Sequence, residues 1–341
     1  MAEISTLGEF GLIDHLTKNF ASKNDSTVRG VGDDCAVMNY GDKRMLVTTD
    51  LLLEGIHFDL RYVPLKHLGY KAVVVNLSDI YAMNGTPRQI TVSLGISKRF
   101  TVEHIEELYA GIRLACEEYG VDLVGGDTSA SVTGLLISVT AIGEADPDDI
   151  VYRNGAHDTD LVCVSGDLGA AYMGLQLLER ERQGAEGVKD DTFQPDFAGK
   201  EYLLERQLKP EARRDVIAEL RQLGIRPTAM MDVSDGLSSE LLHICKASDV
   251  GCRVYEDRIP IDYQTAIQAE EFNMNLVTAA MNGGEDYELL FTVPLTDHEK
   301  VSQMKTARLI GRITKPELGP CLVTRDNQEL PIRAQGWNAF Q

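Results

Sequence analysis

The 341-residue sequence predicts a two-domain α/β (α+β) chain, and three observations carry that prediction. The length exceeds the size at which one hydrophobic core usually keeps growing. A hydrophobic fraction of 43% against 25% charged residues supplies a packed core and excludes a disordered polymer. Short apolar runs of strand length alternate with helical periodicity along the chain, with a turn-rich break after Glu144.

In order, Arg44 to Thr49 and Gln89 to Ile96 read as strands, Leu65 to Met83 and Val102 to Tyr119 as helices, and Val121 to Val124 and Leu135 to Ile142 as strands. Residues 1–145 form the expected first domain. Asp146-Pro147-Asp148-Asp149 and Arg153-Asn154-Gly155 are turn sequences that mark a junction. Residues 146–341 carry a second series: a strand at Asp160 to Ser165, helices at Leu168 to Arg180 and Pro210 to Leu223, and a strand at Thr228 to Val233 that turns into a helix at Leu237 to Lys246. Strands at Glu288 to Val293 and Ala307 to Ile313 follow. The polar stretch Glu181 to Lys200, interrupted by three glycines and Pro195, reads as a loop.

A net charge of -20 argues against sequence-independent binding to nucleic acid or an anionic membrane, which require a basic footprint. The richest apolar stretch, Ala72 to Met83, is broken by Asn76, Ser78 and Asp79, and the N-terminus has no basic segment before an apolar one, so neither a membrane span nor a secretory signal is expected. The six cysteines form no CxxC pair, which fits reduced thiols in the cytoplasm rather than a structural zinc site. In so acidic a chain, a small anionic substrate needs a metal ion to mediate its binding.

Six segments set hard oxygen donors beside glycines or at element ends. Gly32-Asp33-Asp34 is either a surface turn or a pair of cation ligands. Thr48-Thr49-Asp50 closes a predicted strand, seven residues before His57, where an α/β fold can place a ligand or simply cap a turn. Asn76, Asp79 and Met83 share one face of a helix apolar enough to be buried, and a buried aspartate needs a partner such as a metal ion. Gly125-Gly126-Asp127-Thr128 lets phosphate approach the backbone, although the chain has neither a P-loop nor a GxGxxG spacing. Asp232-Val233-Ser234-Asp235-Gly236 joins a strand to a helix, where Ser234 or Asp235 serves as an N-cap or the helix end receives an anion. Asn282-Gly283-Gly284-Glu285-Asp286-Tyr287 is a substrate-contacting loop or a hairpin turn.

Taken in order, the segments GDDCA, TTDLLLEGIHF, NLSDIYAMNG, GGDT, DVSDGL and NGGEDYELLF resemble the thiamine-monophosphate kinases of the aminoimidazole ribonucleotide synthetase-like superfamily, over nearly the whole chain. The resemblance implies a two-domain fold whose N-terminal sheets pair across a homodimer. It implies direct transfer of the γ-phosphoryl group of ATP to thiamine monophosphate with several Mg²⁺ ions. By matching motifs, Asp33, Thr48, Thr49, Asp50, Asp79, Asp127, Asp232 and Asp235 are the implied metal-binding set, with Asp50, Asp79, Asp127 and Asp235 catalytic. Tyr109, Gly126, Asp127, Arg153 and Ser234 are implied ATP contacts, and His57, Glu285 and Trp337 implied contacts to the thiamine phosphate. Tyr81 and Asn84 replace the alanine and glycine frequent in the family, and Cys35 stands where alanine is common, without removing any implied ligand.

The chemistry is consistent with such a site. A phosphate acceptor is largely ionised near neutral pH and needs no strong general base. Bringing two polyanions together is the obstacle, and metal-held charge overcomes it. The competing readings are a purine-pathway synthetase of the same superfamily and a nucleotide- or metal-binding regulator without turnover.

Overall fold

The structure is a computed structural model that describes residues 8–18, 23–186 and 197–334. After helix α1 (Gly8–Thr17) come β1 (Thr27–Arg29), β2 (Ala36–Asn39), β3 (Arg44–Leu53), α2 (Leu65–Ala82), β4 (Thr86–Ile96), α3 (Val102–Tyr119), β5 (Asp122–Ala130) and β6 (Leu135–Ala145). The six strands form one sheet in the order β1-β2-β3-β6-β4-β5, in which β4 and β5 pair parallel and the other neighbours antiparallel.

Two strands are longer than their apolar runs. β3 continues through Thr48-Thr49-Asp50 to Leu53 because β6 offers a partner at every step, down to Leu53 opposite Leu136. β5 runs through Gly125-Gly126-Asp127 to Ala130 alongside β4. The polar triplets therefore lie within strands rather than at their ends. β6 alternates buried and half-buried residues along its whole length, as one helix-covered face and one open face require.

The second half contains β7 (Leu161–Ser165), α4 (Ala170–Glu186), α5 (Glu201–Leu208), α6 (Arg214–Gln222), β8 (Ala229–Val233), α7 (Leu237–Ser248), β9 (Gly251–Tyr255), α8 (Tyr263–Glu271), α9 (Leu276–Asn282), β10 (Glu288–Val293), α10 (His298–Val301), β11 (Ala307–Thr314), β12 (Pro320–Val323) and β13 (Glu329–Pro331). Its seven-stranded sheet is ordered β13-β12-β9-β11-β7-β10-β8. Every residue of β7, β8 and β10 is buried, so these strands are covered on both faces. Part of the stretch expected to be a loop is helical, since α4 extends to Glu186.

Helix α2 joins the two sheets. Of its 18 residues, 15 are buried, among them Lys71, Asn76 and Ser78. It approaches α3 closely enough that a Cβ on Gly69 would lie 2.0 Å from the Leu108 carbonyl oxygen, and one on Gly111 1.8 Å from that of Lys66. One apolar cluster runs from Leu77 and Ile80 of α2 to Met230, Leu289 and Phe291 of the second sheet. Among the described residues, no helix is long and apolar enough to cross a membrane.

Candidate active site

Because α2 is enclosed by both halves, its polar residues must find partners within the protein. Thr48 Oγ1 donates to Asp79 Oδ2 at 2.5 Å, Ser78 Oγ to Asp232 Oδ2 at 2.6 Å, and the Asp50 amide to Asn76 Oδ1 at 2.9 Å. These bonds draw β3, α2 and β8 together around a cavity of about 1270 Å³ lined by Asp33, Asp34, Asp50, Asp79, Asp232 and Asp235.

At its centre, carboxylate oxygens of Asp34, Asp79 and Asp232 all lie within 4.8 Å of one another. Burial raises all three carboxyls above their ordinary value, Asp232 to about 7 and Asp79 well above it. Repulsion adds to the effect, from Asp50, Asp232 and Asp34 at Asp79, and from Asp34 and Asp50 at Asp232. Asp34 Oδ2 is buried without a hydrogen-bond partner. An orphaned buried carboxylate oxygen beside two further carboxylates is a donor set that a hard divalent cation fits.

Of the adjacent pair, Asp34, absent from the expected ligand set, enters this triad. Its Oδ1 accepts from Arg153 Nη2 at 2.5 Å and Nε at 3.2 Å. Asp33 faces the same cavity, but its Oδ2 pairs with Arg29 at 2.8 Å and its Oδ1 accepts from the amides of Asp34 and Arg153. Burial first, and then Asp34, raise Asp33 to about 6.

The strand-to-helix segment after β8 does not use its polar residues as a cap. Gly236, at φ 113°, is the N-cap of α7 and makes no side-chain cap bond, which leaves Ser234 and Asp235 lining the cavity. The glycine-rich segment after α9 is not a hairpin; it links α9 to β10. Within it Glu285 and Tyr287 adopt φ of 67° and 51°, a strained conformation for non-glycine residues. Their amides donate to the carbonyls of Ser234 and Val233, and both residues line the cavity. Asp286 between them is buried and accepts from the amides of Gly169 at 2.7 Å and Ala171 at 3.3 Å, at the start of α4. His57 also lines the cavity, its Nδ1 accepting from the Leu53 amide at 3.0 Å.

Four expected site residues stand away from this cavity. Thr48 and Asp50 point toward α2, so Thr49 falls on the opposite, open face of the sheet, where its hydroxyl donates to the Val139 carbonyl. Asp127 sits on that same open face, three strands away across Ser93 and Ser138, roughly 14 Å at ordinary strand spacing. It is exposed, and Oδ1 accepts from the Thr128 amide. Gly126 is beside it, where a Cβ would lie 1.8 Å from the Val92 carbonyl oxygen. Tyr109 lines a separate open groove of about 580 Å³ with Arg113, Cys116 and Leu123, between α3 and β5. Trp337 lies outside the described residues.

Comparison with known proteins places this geometry. The family described as AIR synthase related protein, N-terminal domain, matches residues 32–145, and the corresponding C-terminal domain family matches residues 160–318. The chain is 35% identical to thiamine-monophosphate kinase of Aquifex aeolicus (strain VF5), covering 99% of each chain, and 32% identical to that of Bacillus subtilis (strain 168), covering 98% of this chain and 100% of the other. It is similar to a solved structure of AaThiL complexed with AMPPCP and TMP, with a TM-score of 0.84, 34% identity and 99% of each chain covered. Hydrogenase maturation protein HypE, at 18% identity and a TM-score of 0.68, shares the fold. With both domain families matched in order and whole-length relatives above 30% identity, the chain belongs to the thiamine-monophosphate kinase family, on the two-domain α/β fold of the AIR synthase related proteins.

Proposed function

We propose that this chain transfers the γ-phosphoryl group of ATP to thiamine monophosphate, giving thiamine diphosphate and ADP. The observation that carries the reading is the set of three convergent carboxylates contributed by both halves of the chain, Asp34 and Asp79 from one and Asp232 from the other. Whole-length relatives with this activity in their names support it.

Asp34, Asp79 and Asp232, with Asp50 and Asp235 beside them, would hold the magnesium ions. When bound, magnesium neutralises charge on the phosphates and aligns their oxygens for displacement. Arg153 adds a guanidinium next to Asp34, where it can meet polyphosphate oxygens. Ser234 and Asp235, on the turn that leads into α7, line the same space. Glu285 supplies a carboxylate for the thiazolium cation of the acceptor, and Phe58, Tyr62, Tyr172 and Met274 give the cavity an apolar wall for its rings. His57 and Trp337 complete the assignment to the acceptor. No protein nucleophile is required, since the acceptor phosphate attacks directly.

Tyr109, Gly126 and Asp127 are assigned to the nucleotide end, and Thr49 to its metal ions, through a homodimer. β5 is an edge strand with all nine residues exposed, including Leu123 and Val124, an arrangement that invites pairing with a second copy. In the homodimer the open face of one sheet would lie against that of its partner beside this edge, and Asp127 of one protomer would approach the acidic cleft of the other. In this reading residues 1–145 bind ATP and metal and form the dimer, residues 146–341 complete the site, and the enzyme works in the cytoplasm.

The test is to incubate the protein with ATP, Mg²⁺ and either thiamine monophosphate or free thiamine and separate the products. Thiamine diphosphate and ADP in equal amounts from the monophosphate alone is the expected result. ATP binding without that product would overturn the acceptor and favour a purine-pathway substrate or a regulatory role.

A further inference from the structure

Lys71 is an unusual resident of α2. It is 7% exposed on a helix whose neighbouring positions are Tyr70, Ala72, Val73 and Val74, all buried. A buried lysine carries a desolvation cost that a leucine or methionine would avoid. Its polar partners among the described residues lie in the other half of the chain: Nζ donates to the Gln207 carbonyl at 3.0 Å and pairs with Glu285 Oε1 at 2.9 Å. Gln207 Nε2 donates to the second oxygen, Glu285 Oε2, at 2.7 Å. The Glu285 carboxylate is thus gripped at both oxygens, on a backbone already fixed at φ 67° with its amide on the Ser234 carbonyl.

The spacing on the helix gives this grip a consequence. Lys71, Val75 and Asp79 follow at i, i+4 and i+8 along one stripe, and Val75 and Asp79 both line the cavity. Eight residues of helix span about 12 Å. One rigid element therefore holds Asp79 in the acidic cluster and, two turns away, Glu285 through Lys71. We infer that Lys71, with Gln207, is a positioning residue for the reaction: it fixes Glu285 of the C-terminal half at a set distance from the acidic cluster, and so sets where the acceptor lies relative to the transferred phosphoryl group. The inference rests on the assignment of Glu285 to the thiamine monophosphate end of the cavity.

The test compares wild type, Lys71→Met, Glu285→Gln and the double variant in steady-state kinetics, with KM measured separately for thiamine monophosphate and ATP. Lys71→Met is expected to raise KM for thiamine monophosphate about tenfold while KM for ATP stays within about twofold, the pattern of a lost acceptor-side interaction. In the Glu285→Gln background the same substitution is expected to add almost nothing, because Lys71 acts through Glu285. A merely structural role would lower the unfolding midpoint and affect both substrates alike, and that result overturns the inference, as does full additivity of the two substitutions. Should Lys71→Met fail to fold, Gln207→Leu removes the second grip without burying an unpaired charge and is expected to give a smaller rise, about threefold, again absent in the Glu285→Gln background. Wild-type turnover is the separate control: without product from thiamine monophosphate the functional reading fails, whereas normal wild-type turnover with an unchanged Lys71→Met KM removes only the role of Lys71.

Discussion

Burial is the first cause, and Asp34 the second, of raised carboxyls at Asp33, to about 6, and Asp232, to about 7. Both lie above the ordinary value of 3.8, so the folded protein binds more protons than the unfolded chain over the interval between. The stability these groups contribute is full below about pH 4 and is lost as pH rises through 6 and 7. Magnesium held by these carboxylates would compete with those protons. Saturating Mg²⁺ should therefore raise the unfolding midpoint more at about pH 8 than at about pH 5.5, measured by scanning calorimetry, and equal shifts would show that these carboxylates do not hold the ion. Asp232→Asn should raise the midpoint of the metal-free protein by a few degrees by relieving repulsion, while lowering kcat by about 100-fold or more. A fall in both would identify Asp232 as a packing residue. The acid-rich segments were legible in the sequence, but which carboxylate of the Asp33-Asp34 pair converges with Asp79 and Asp232 was not. It follows from the Arg29 pair that takes Asp33 and from the approach of α2 and β8 to Asp34, neither of which a Gly-Asp-Asp triplet encodes locally.

Helix α2 carries the site because it can be enclosed, and the glycine pair against α3 is a condition of that packing. Gly111→Ala should destabilise the fold by about 1–3 kcal/mol, read from denaturant unfolding, because the added methyl meets backbone rather than a movable side chain. A neutral result would mean that α2 and α3 can separate without loss. Helices α2 and α3 and the Glu288–Val293 strand were plain in the sequence, α2 as a long apolar stretch, α3 as an amphipathic one and the strand as a short apolar run. Where β3 and β5 end was not, because polar and glycine residues read as termination while the actual extent is set by pairing with β6 and β4. Strand β9 is hidden in the sequence for a similar reason: Arg253 breaks its apolar run, yet is buried with its guanidinium on Glu329 and the carbonyls of Cys252, Leu318 and Gly319.

In the whole molecule, the pleat of one sheet divides the expected ligands. Thr48 and Asp50 face α2, while Thr49 and Asp127 face the open side, a division that motif order along the chain cannot reveal. The homodimer reading makes this division functional, and two inactive variants can test it. Asp127→Asn and Asp232→Asn, mixed after reversible dissociation, should recover about a quarter of wild-type turnover, because half of the randomly paired dimers would then hold one intact site. No recovery would mean that both residues act within one protomer. Val124→Lys should give monomers by light scattering, with turnover lost although the acidic cleft is unaltered. Direct phosphoryl transfer is best tested by following the γ-phosphoryl group itself, using γ-labelled ATP with thiamine monophosphate across a Mg²⁺ series. Direct metal-assisted transfer predicts label in thiamine diphosphate, none retained on the protein, no transfer without metal, and none with Asp34→Asn. Label appearing as free phosphate, or transfer undiminished by Asp34→Asn, would contradict it.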